Sequence, residues 1–332
     1  MNVNENILPY DQSRVKLKTP INGFDYINAS WLYKVKEHNV YDDVYDFLPA
    51  SKINFILTQD PTKDTEKHFY QMIFEQQVDI IVHIYSDNKV PRWKKKTHGN
   101  ITRELVERIR LENNIVRETI EIVFVQQERT VNKHRSMVYH FSSWPTDDQF
   151  GDDDSNNLLT LISLVQRDIR KDSNKFTIAA HDPSGGVEGA SSFITLFQMV
   201  QDLDTKLKVR SAELQDISRQ EERHFINLFD KVNELRKERA HMVSIYANYK
   251  FLLSTLAYYA KNKTKFDEIF LTSMSVSNEN ETVSNRSRPM EVEVNYENDD
   301  GLTFDEVDDI EYVLSQGDTD SRVYFTSDVY VN

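Results

Sequence analysis

FTIAAHDPSGGVEGASSFITLF, residues 176–197, is an apolar, strand-like run that enters a loop with glycines at 185, 186 and 189 and leaves as an apolar, helix-like run. A strand, a glycine-bearing loop and a helix N-terminus form a general layout for holding an anion on backbone N–H groups. Yet this loop carries Asp182 and Glu188. Two carboxylates inside an anion cradle contradict its ordinary use, and the surrounding sequence has to account for them.

Upstream of the loop, strand-like and helix-like segments alternate. NFILTQ (54–59) reads as a strand, and residues 64–77 place Phe69, Met72, Ile73 and Gln76 on one helical face. VDIIVHIY (78–85) is a near-continuous apolar run, as in a strand buried on both faces. Residues 118–125 and 136–144 read as further strands, and residues 156–170 carry an apolar stripe at Leu158, Leu161, Ile162, Val165 and Ile169. Downstream, helices are expected over 189–203, over 219–238 with Phe225, Leu228, Phe229, Val232 and Leu235 on one stripe, and over 247–260. This pattern predicts an α/β domain with a sheet covered by helices, over residues 1–262.

Charge separates this body from the C-terminal segment. Residues 263–332 hold 17 acidic and 5 basic side chains, a balance of −12, which leaves −2 of the formal −14 for residues 1–262. Neither part has the basic footprint of a nucleic-acid binder. The basic run PRWKKKTHG (91–99) reads as a solvated loop. Residues 263–332 are acidic and rich in Asn and Ser, and the last thirty are read as keeping hydrophobes singly between acids, so a largely disordered tail is expected. The first ten residues lack the basic and apolar regions of a signal peptide, and no apolar run is long enough for a membrane span. The 332 residues include no cysteine, which removes disulfides, thiolate metal ligands and every thiol nucleophile.

ILPYDQSRVKL (7–17), DYINAS (25–30), FILTQDP (55–61), HFYQMIFEQ (68–76), YHFSSWP (139–145) and MVSIYANYKFL (242–252) occur in that order around the loop. Together they resemble the protein tyrosine phosphatase family, over nearly all of residues 1–262. The chain looks most like the second, membrane-distal domain of a receptor-type enzyme. The resemblance implies a single domain with a twisted mixed central sheet flanked by helices, with the acidic tail after it.

The family signature is His-Cys, five residues, then Arg. Carried onto residues 181–189 (His181, Asp182, Pro183, Ser184, Gly185, Gly186, Val187, Glu188 and Gly189), it puts Asp182 at the nucleophile and Glu188 at the phosphate-binding arginine. A carboxylate is a weaker nucleophile than a thiolate. An arginine fork binds phosphate bidentately, whereas Glu188 reverses the charge. Two unit charges about 4 Å apart interact by roughly 4 kcal/mol at an effective dielectric near 20, so attraction becomes comparable repulsion. The general-acid Asp of the Trp-Pro-Asp loop corresponds to Thr146, after Trp144 and Pro145. The phosphotyrosine-clamping Tyr corresponds to Asn4, the water-positioning glutamines to Ser244 and Asn248, and the Gly of Thr-Gln-Gly-Pro to Asp60. Asp182 is expected to point into the loop and cap its N–H groups, Glu188 to face water, and His181 to hydrogen-bond beneath the loop.

These replacements predict a non-catalytic module with no cofactor and no bound metal. One alternative is a phosphotyrosine-peptide binder without turnover. The least favoured is a metal-assisted hydrolase using Asp182, with Asp152, Asp153 and Asp154 as candidate ligands. The resemblance implies protein partners, among them an active phosphatase domain in cis or in trans, and a cytoplasmic place as the intracellular part of a membrane receptor. In the tail, Tyr296, Tyr312, Tyr324 and Tyr330 are candidate phosphorylation sites. Asn two residues after Tyr296 and Tyr330 resembles the motif read by one class of SH2 adaptors. The same spacing at Tyr246 falls inside the domain, where a structural role is expected.

Overall fold

The computed structural model describes residues 2–33, 53–86, 96–126, 130–145, 149–170, 176–213, 226–271, 309–316 and 319–326. In chain order the elements are β1 (Arg14–Ile21), β2 (Phe24–Tyr33), β3 (Ile53–Gln59), α1 (Glu66–Glu75), β4 (Ile80–Ile84), β5 (Lys96–His98), β6 (Ile101–Arg110), β7 (Ile115–Gln126) and β8 (Thr130–Phe141). They continue with α2 (Asp152–Arg170), β9 (Phe176–Asp182), α3 (Gly189–Glu213), β10 (Ile226–Asn227), α4 (Leu228–Arg236), α5 (Tyr246–Lys261), α6 (Lys263–Leu271), β11 (Asp309–Gln316) and β12 (Thr319–Thr326).

The main sheet runs β1-β2-β3-β9-β4-β8-β7-β6-β5. Its centre is parallel, β3 to β9 to β4 to β8, and its two wings are antiparallel. β3, β4 and β9 are buried at every residue, as strands covered on both faces must be. One core lies between the sheet and α2 to α6, and includes Phe193, Phe197, Leu252 and Phe266. The other lies beneath α1 on the opposite face and includes Phe69, Met72 and Ile73. Two covered faces leave the carboxyl ends of the parallel strands as the open edge of the layer, which is where ligand sites form in α/β sheets.

Three expectations change. The helix proposed for 219–238 is described only from Leu228, its Phe225 lies outside the described residues, and Phe229 on its stripe is 41% exposed. The boundary at 262 meets α6 at once, and Phe266 of that helix is buried in the core, so the packed unit runs past it. Within the expected disordered tail, β11 and β12 pair antiparallel from Asp309↔Thr326 to Gln316↔Thr319, and β12 pairs parallel with β10. The hydrophobes are not isolated, since Tyr312-Val313-Leu314 and Val323-Tyr324-Phe325 are short apolar runs, and the sequence Gly317-Asp318 between them is a two-residue hairpin signal. Tyr312 and Tyr324 stand in these paired strands, whereas Tyr296 and Tyr330 lie outside the described residues.

Candidate functional site

The loop 182–189 leaves β9 at the carboxyl edge of the sheet and ends in the first turn of α3. Asp182 is 3% exposed and points into the loop. Its Oδ1 accepts from Ser184 N (3.0 Å), Ser184 Oγ (2.6 Å) and Gly186 N (2.7 Å), and its Oδ2 accepts from Ala190 N (2.9 Å). One carboxylate therefore satisfies donors on both sides of the turn and at the start of the helix. Burial pushes the Asp182 carboxyl above the ordinary carboxylate range, against the pull of the Ser184, Ala190 and Gly186 donors.

Glycine is required where the loop turns tightest. Gly186 has φ +87°, and a Cβ there would stand 2.7 Å from the Thr58 carbonyl oxygen. At Gly189 a Cβ would stand 2.6 Å from Ile84 Cγ2 and 3.2 Å from the Trp144 ring. That indole packs with Phe150 and Phe251.

Arg239 supports the loop from below. It is fully buried, and its guanidinium donates to Gly185 O (2.8 Å), Asn28 Oδ1 (2.9 Å) and Ser30 Oγ (3.1 Å). Burial pulls it down to about 10, and the Asp182 charge works against that shift. Arg239 and Asp182 thus attract through space, each hydrogen-bonded to its own partners rather than to the other. Local sequence gives no sign of this role, because RKERAH looks like a solvated charge run.

His181 and Asp182 are consecutive on a strand end, so their side chains leave on opposite faces. His181 is 2% exposed; its Nδ1 meets Asp60 Oδ1 at 2.6 Å, and Phe69 packs edge-on to the ring. Asp60 also takes His83 Nε2 on its other oxygen at 3.3 Å, and its backbone N donates to Asp182 O at 3.0 Å. Asp60 therefore ties the end of β3 to the end of β9, which accounts for an acid where the family motif has glycine. These contacts hold the Asp60 carboxyl below its usual range despite burial, and burial lowers His181 to about 4.

His181 is neutral in the fold and has an ordinary pKa near 6.5 when unfolded, so the unfolded chain binds the extra proton. Its contribution is complete above pH ~6.5 and is lost as pH falls towards 4, by up to about 3 kcal/mol. The raised Asp182 carboxyl contributes in the opposite sense. Chemical denaturation from pH 7 to pH 4.5 is therefore expected to show a shallower acid loss in His181→Asn than in the parent. Equal slopes would mean that His181 takes no part in the acid loss.

The family model described as Protein-tyrosine phosphatase matches residues 1–258. The chain belongs to the protein-tyrosine phosphatase family. Receptor-type tyrosine-protein phosphatase eta of Homo sapiens is 27% identical over 259 residues, which cover 74% of this chain and 16% of that protein. Receptor-type tyrosine-protein phosphatase V of Rattus norvegicus is 28% identical over 270 residues, covering 75% of this chain and 13% of that one. The match thus spans a small part of the length of these curated relatives. Among solved structures, PTPN18 in complex with HER2-pY1196 phosphor-peptides superposes with a TM-score of 0.56 at 21% identity, covering 77% of this chain and 80% of that one. That likeness concerns the fold.

Of the residues that the sequence resemblance singles out, Asp182 fills the centre of the loop 182–189. Glu188 is half-buried rather than turned fully to water; its backbone N donates to Ser184 Oγ, and its carbonyl accepts from Ser192 N. Pro183 is exposed and Val187 buried. Asn4 is exposed and accepts from Asn6 N, as a turn residue rather than an aromatic wall. Ser244 is exposed, and Asn248 is buried with its Nδ2 unpartnered. Thr146 lies outside the described residues, while Asp152, Asp153 and Asp154 form the first turn of α2. Tyr246, expected to be structural, is instead 67% exposed at the start of α5, under Lys250; its motif partner Asn248 is the buried member. Among the described residues no helix is long and apolar enough to cross a membrane.

Proposed function

We propose that this domain is a non-catalytic member of the phosphatase family, a protein-binding or regulatory module whose phosphate loop is kept for its fold. The carrying observation is the Asp182 carboxylate, which accepts the loop and helix donors Gly186 N and Ala190 N that an incoming phosphate would need. The positions of the nucleophile, the anion-binding fork and the general acid hold Asp182, Glu188 and Thr146, and the chain has no thiol to replace the first. A bound phosphate would have to displace a carboxylate with four hydrogen bonds and then sit near Glu188 and Asp60.

Partners are proteins, among them an active phosphatase domain in cis or in trans, and the setting is the cytoplasmic side of a receptor. The receptor-type relatives support these partners and this setting. The tail tyrosines serve as phosphorylatable docking points for SH2 adaptors.

The test is turnover of an aryl phosphate and a phosphotyrosine peptide by the full chain, with and without Mg²⁺ or Mn²⁺. The expected result is no release above buffer. Release that disappears in Asp182→Ala would overturn the proposal and establish an enzyme with altered chemistry.

A further inference from the structure

Three histidines stand in one row across the middle of the sheet. His140 of β8 and His181 of β9 both pair in register with His83 of β4. All three are buried, and a carboxylate closes each end of the row. At one end Asp60 takes His181 Nδ1 and His83 Nε2, one on each oxygen. At the other, His140 Nε2 meets Glu118 Oε2 at 3.2 Å, and Glu118 Oε1 faces Arg108 at 3.3 Å. Between them, His83 Nδ1 faces His140 Nδ1 at 3.4 Å.

Asp60, His83 and His181 also bring three atoms of metal-ligating kind, one carboxylate oxygen and two imidazole nitrogens, within 4.8 Å of one another. The ring geometry opposes an ion there. His83 and His181 are stacked face to face, with centroids 4.3 Å apart and planes 10° apart. Each imidazole lone pair lies in its own ring plane, so an ion in one plane is out of the other. The same arrangement suits two N–H donors, each aimed at its own carboxylate oxygen.

Counting protons gives a different result. With both acids ionised, His83 and His181 each need a proton towards Asp60, and His140 needs one towards Glu118. If His83 and His140 are otherwise neutral, two Nδ1 lone pairs face each other. One added proton turns that contact into an N–H···N hydrogen bond. It also balances the local charge, since among the described residues Asp60 and Glu118 are otherwise met by Arg108 alone. The groups facing the pair are Asp60 beyond β3, His181 and then Asp182 on β9, Tyr85 against the His83 ring, Glu118 on β7 and Arg108 on β6. Burial lowers His140, and Glu118 opposes that shift.

We propose that His83 and His140 bind a single shared proton, and that this proton is a pH-sensitive clamp on the closed phosphate loop. Its uptake makes His83 Nε2–H a charge-assisted donor to Asp60, the residue that holds His181 and the Asp182 carbonyl. Protonation therefore tightens the loop from behind, with no ligand in the cradle.

Histidine ¹H–¹⁵N spectra of the full chain from pH 8 to pH 5 test this, with His83→Met and His140→Gln supplying assignments. The expected result is one step in which the Nδ1 signals of His83 and His140 move together, while His181 stays neutral with its proton on Nδ1. Over the same step, exchange of the Gly186 and Ala190 amides, corrected for intrinsic rates, should slow by about fivefold. In His83→Met that pH dependence should vanish. Independent midpoints for the two rings, or two neutral rings down to pH 5, would overturn the proposal. A coupled step with no change in amide protection would overturn the clamp.

Discussion

Asp182→Ala is expected to lower the stability of the domain by about 3 kcal/mol, although it deletes a single small polar side chain. The four donors at Ser184 N, Ser184 Oγ, Gly186 N and Ala190 N lose their acceptor together, and the bonds from Gly186 N and Ala190 N are buried. Each buried donor left unpaired costs about 1–3 kcal/mol, and removing a buried charge returns part of that sum. Asp182→Asn keeps one oxygen but turns an amide N–H towards one of these donors, so an intermediate loss is expected. Urea unfolding of the three proteins at pH 7 checks the order. A loss below about 1 kcal/mol in Asp182→Ala would mean that the carboxylate does not close the loop.

The second large effect is expected at Arg239. Arg239→Met removes the donors to Gly185 O, Asn28 Oδ1 and Ser30 Oγ and the positive charge that acts through space on Asp182. Each buried acceptor left unpaired costs about 1–3 kcal/mol, so Arg239→Met is expected to lower stability in urea unfolding by about 3 kcal/mol or more. In Asp182→Ala the anion is already gone, so the two losses should combine to less than their sum by about 1 kcal/mol or more. Strict additivity in the double-mutant cycle would show that the two residues act on the loop independently.

Much of the fold is legible in local pattern. The largely apolar runs at 54–59, 78–85 and 176–180 sit side by side at the sheet centre, because strands with so little polar surface must be covered on both sides. The closed loop is legible as well, because a strand, glycines and a helix start define donors, and Asp182 lies within their reach.

Long-range pairing stays hidden. Asp60 is 121 residues from His181, and its role exists only once β3 and β9 are neighbours. Arg239 reaches Gly185 across 54 residues, and a string of charges gives no sign of which member is buried. His83 sits in an apolar run where a lone histidine carries no signal of the row it completes. The pairing of β11 with β12 escapes for a different reason: the low apolar content of the segment outweighs two short apolar runs, Tyr312–Leu314 and Val323–Phe325.

The central claim is that the loop is occupied by its own side chain. Calorimetric titration of the full chain with matched phosphorylated and unphosphorylated tyrosine peptides tests it most directly, beside Asp182→Ala. No preference for the phosphorylated peptide is expected in the parent chain. A clear preference in the parent, at the same affinity as in Asp182→Ala, would contradict it, because phosphate would then be binding without regard to the carboxylate.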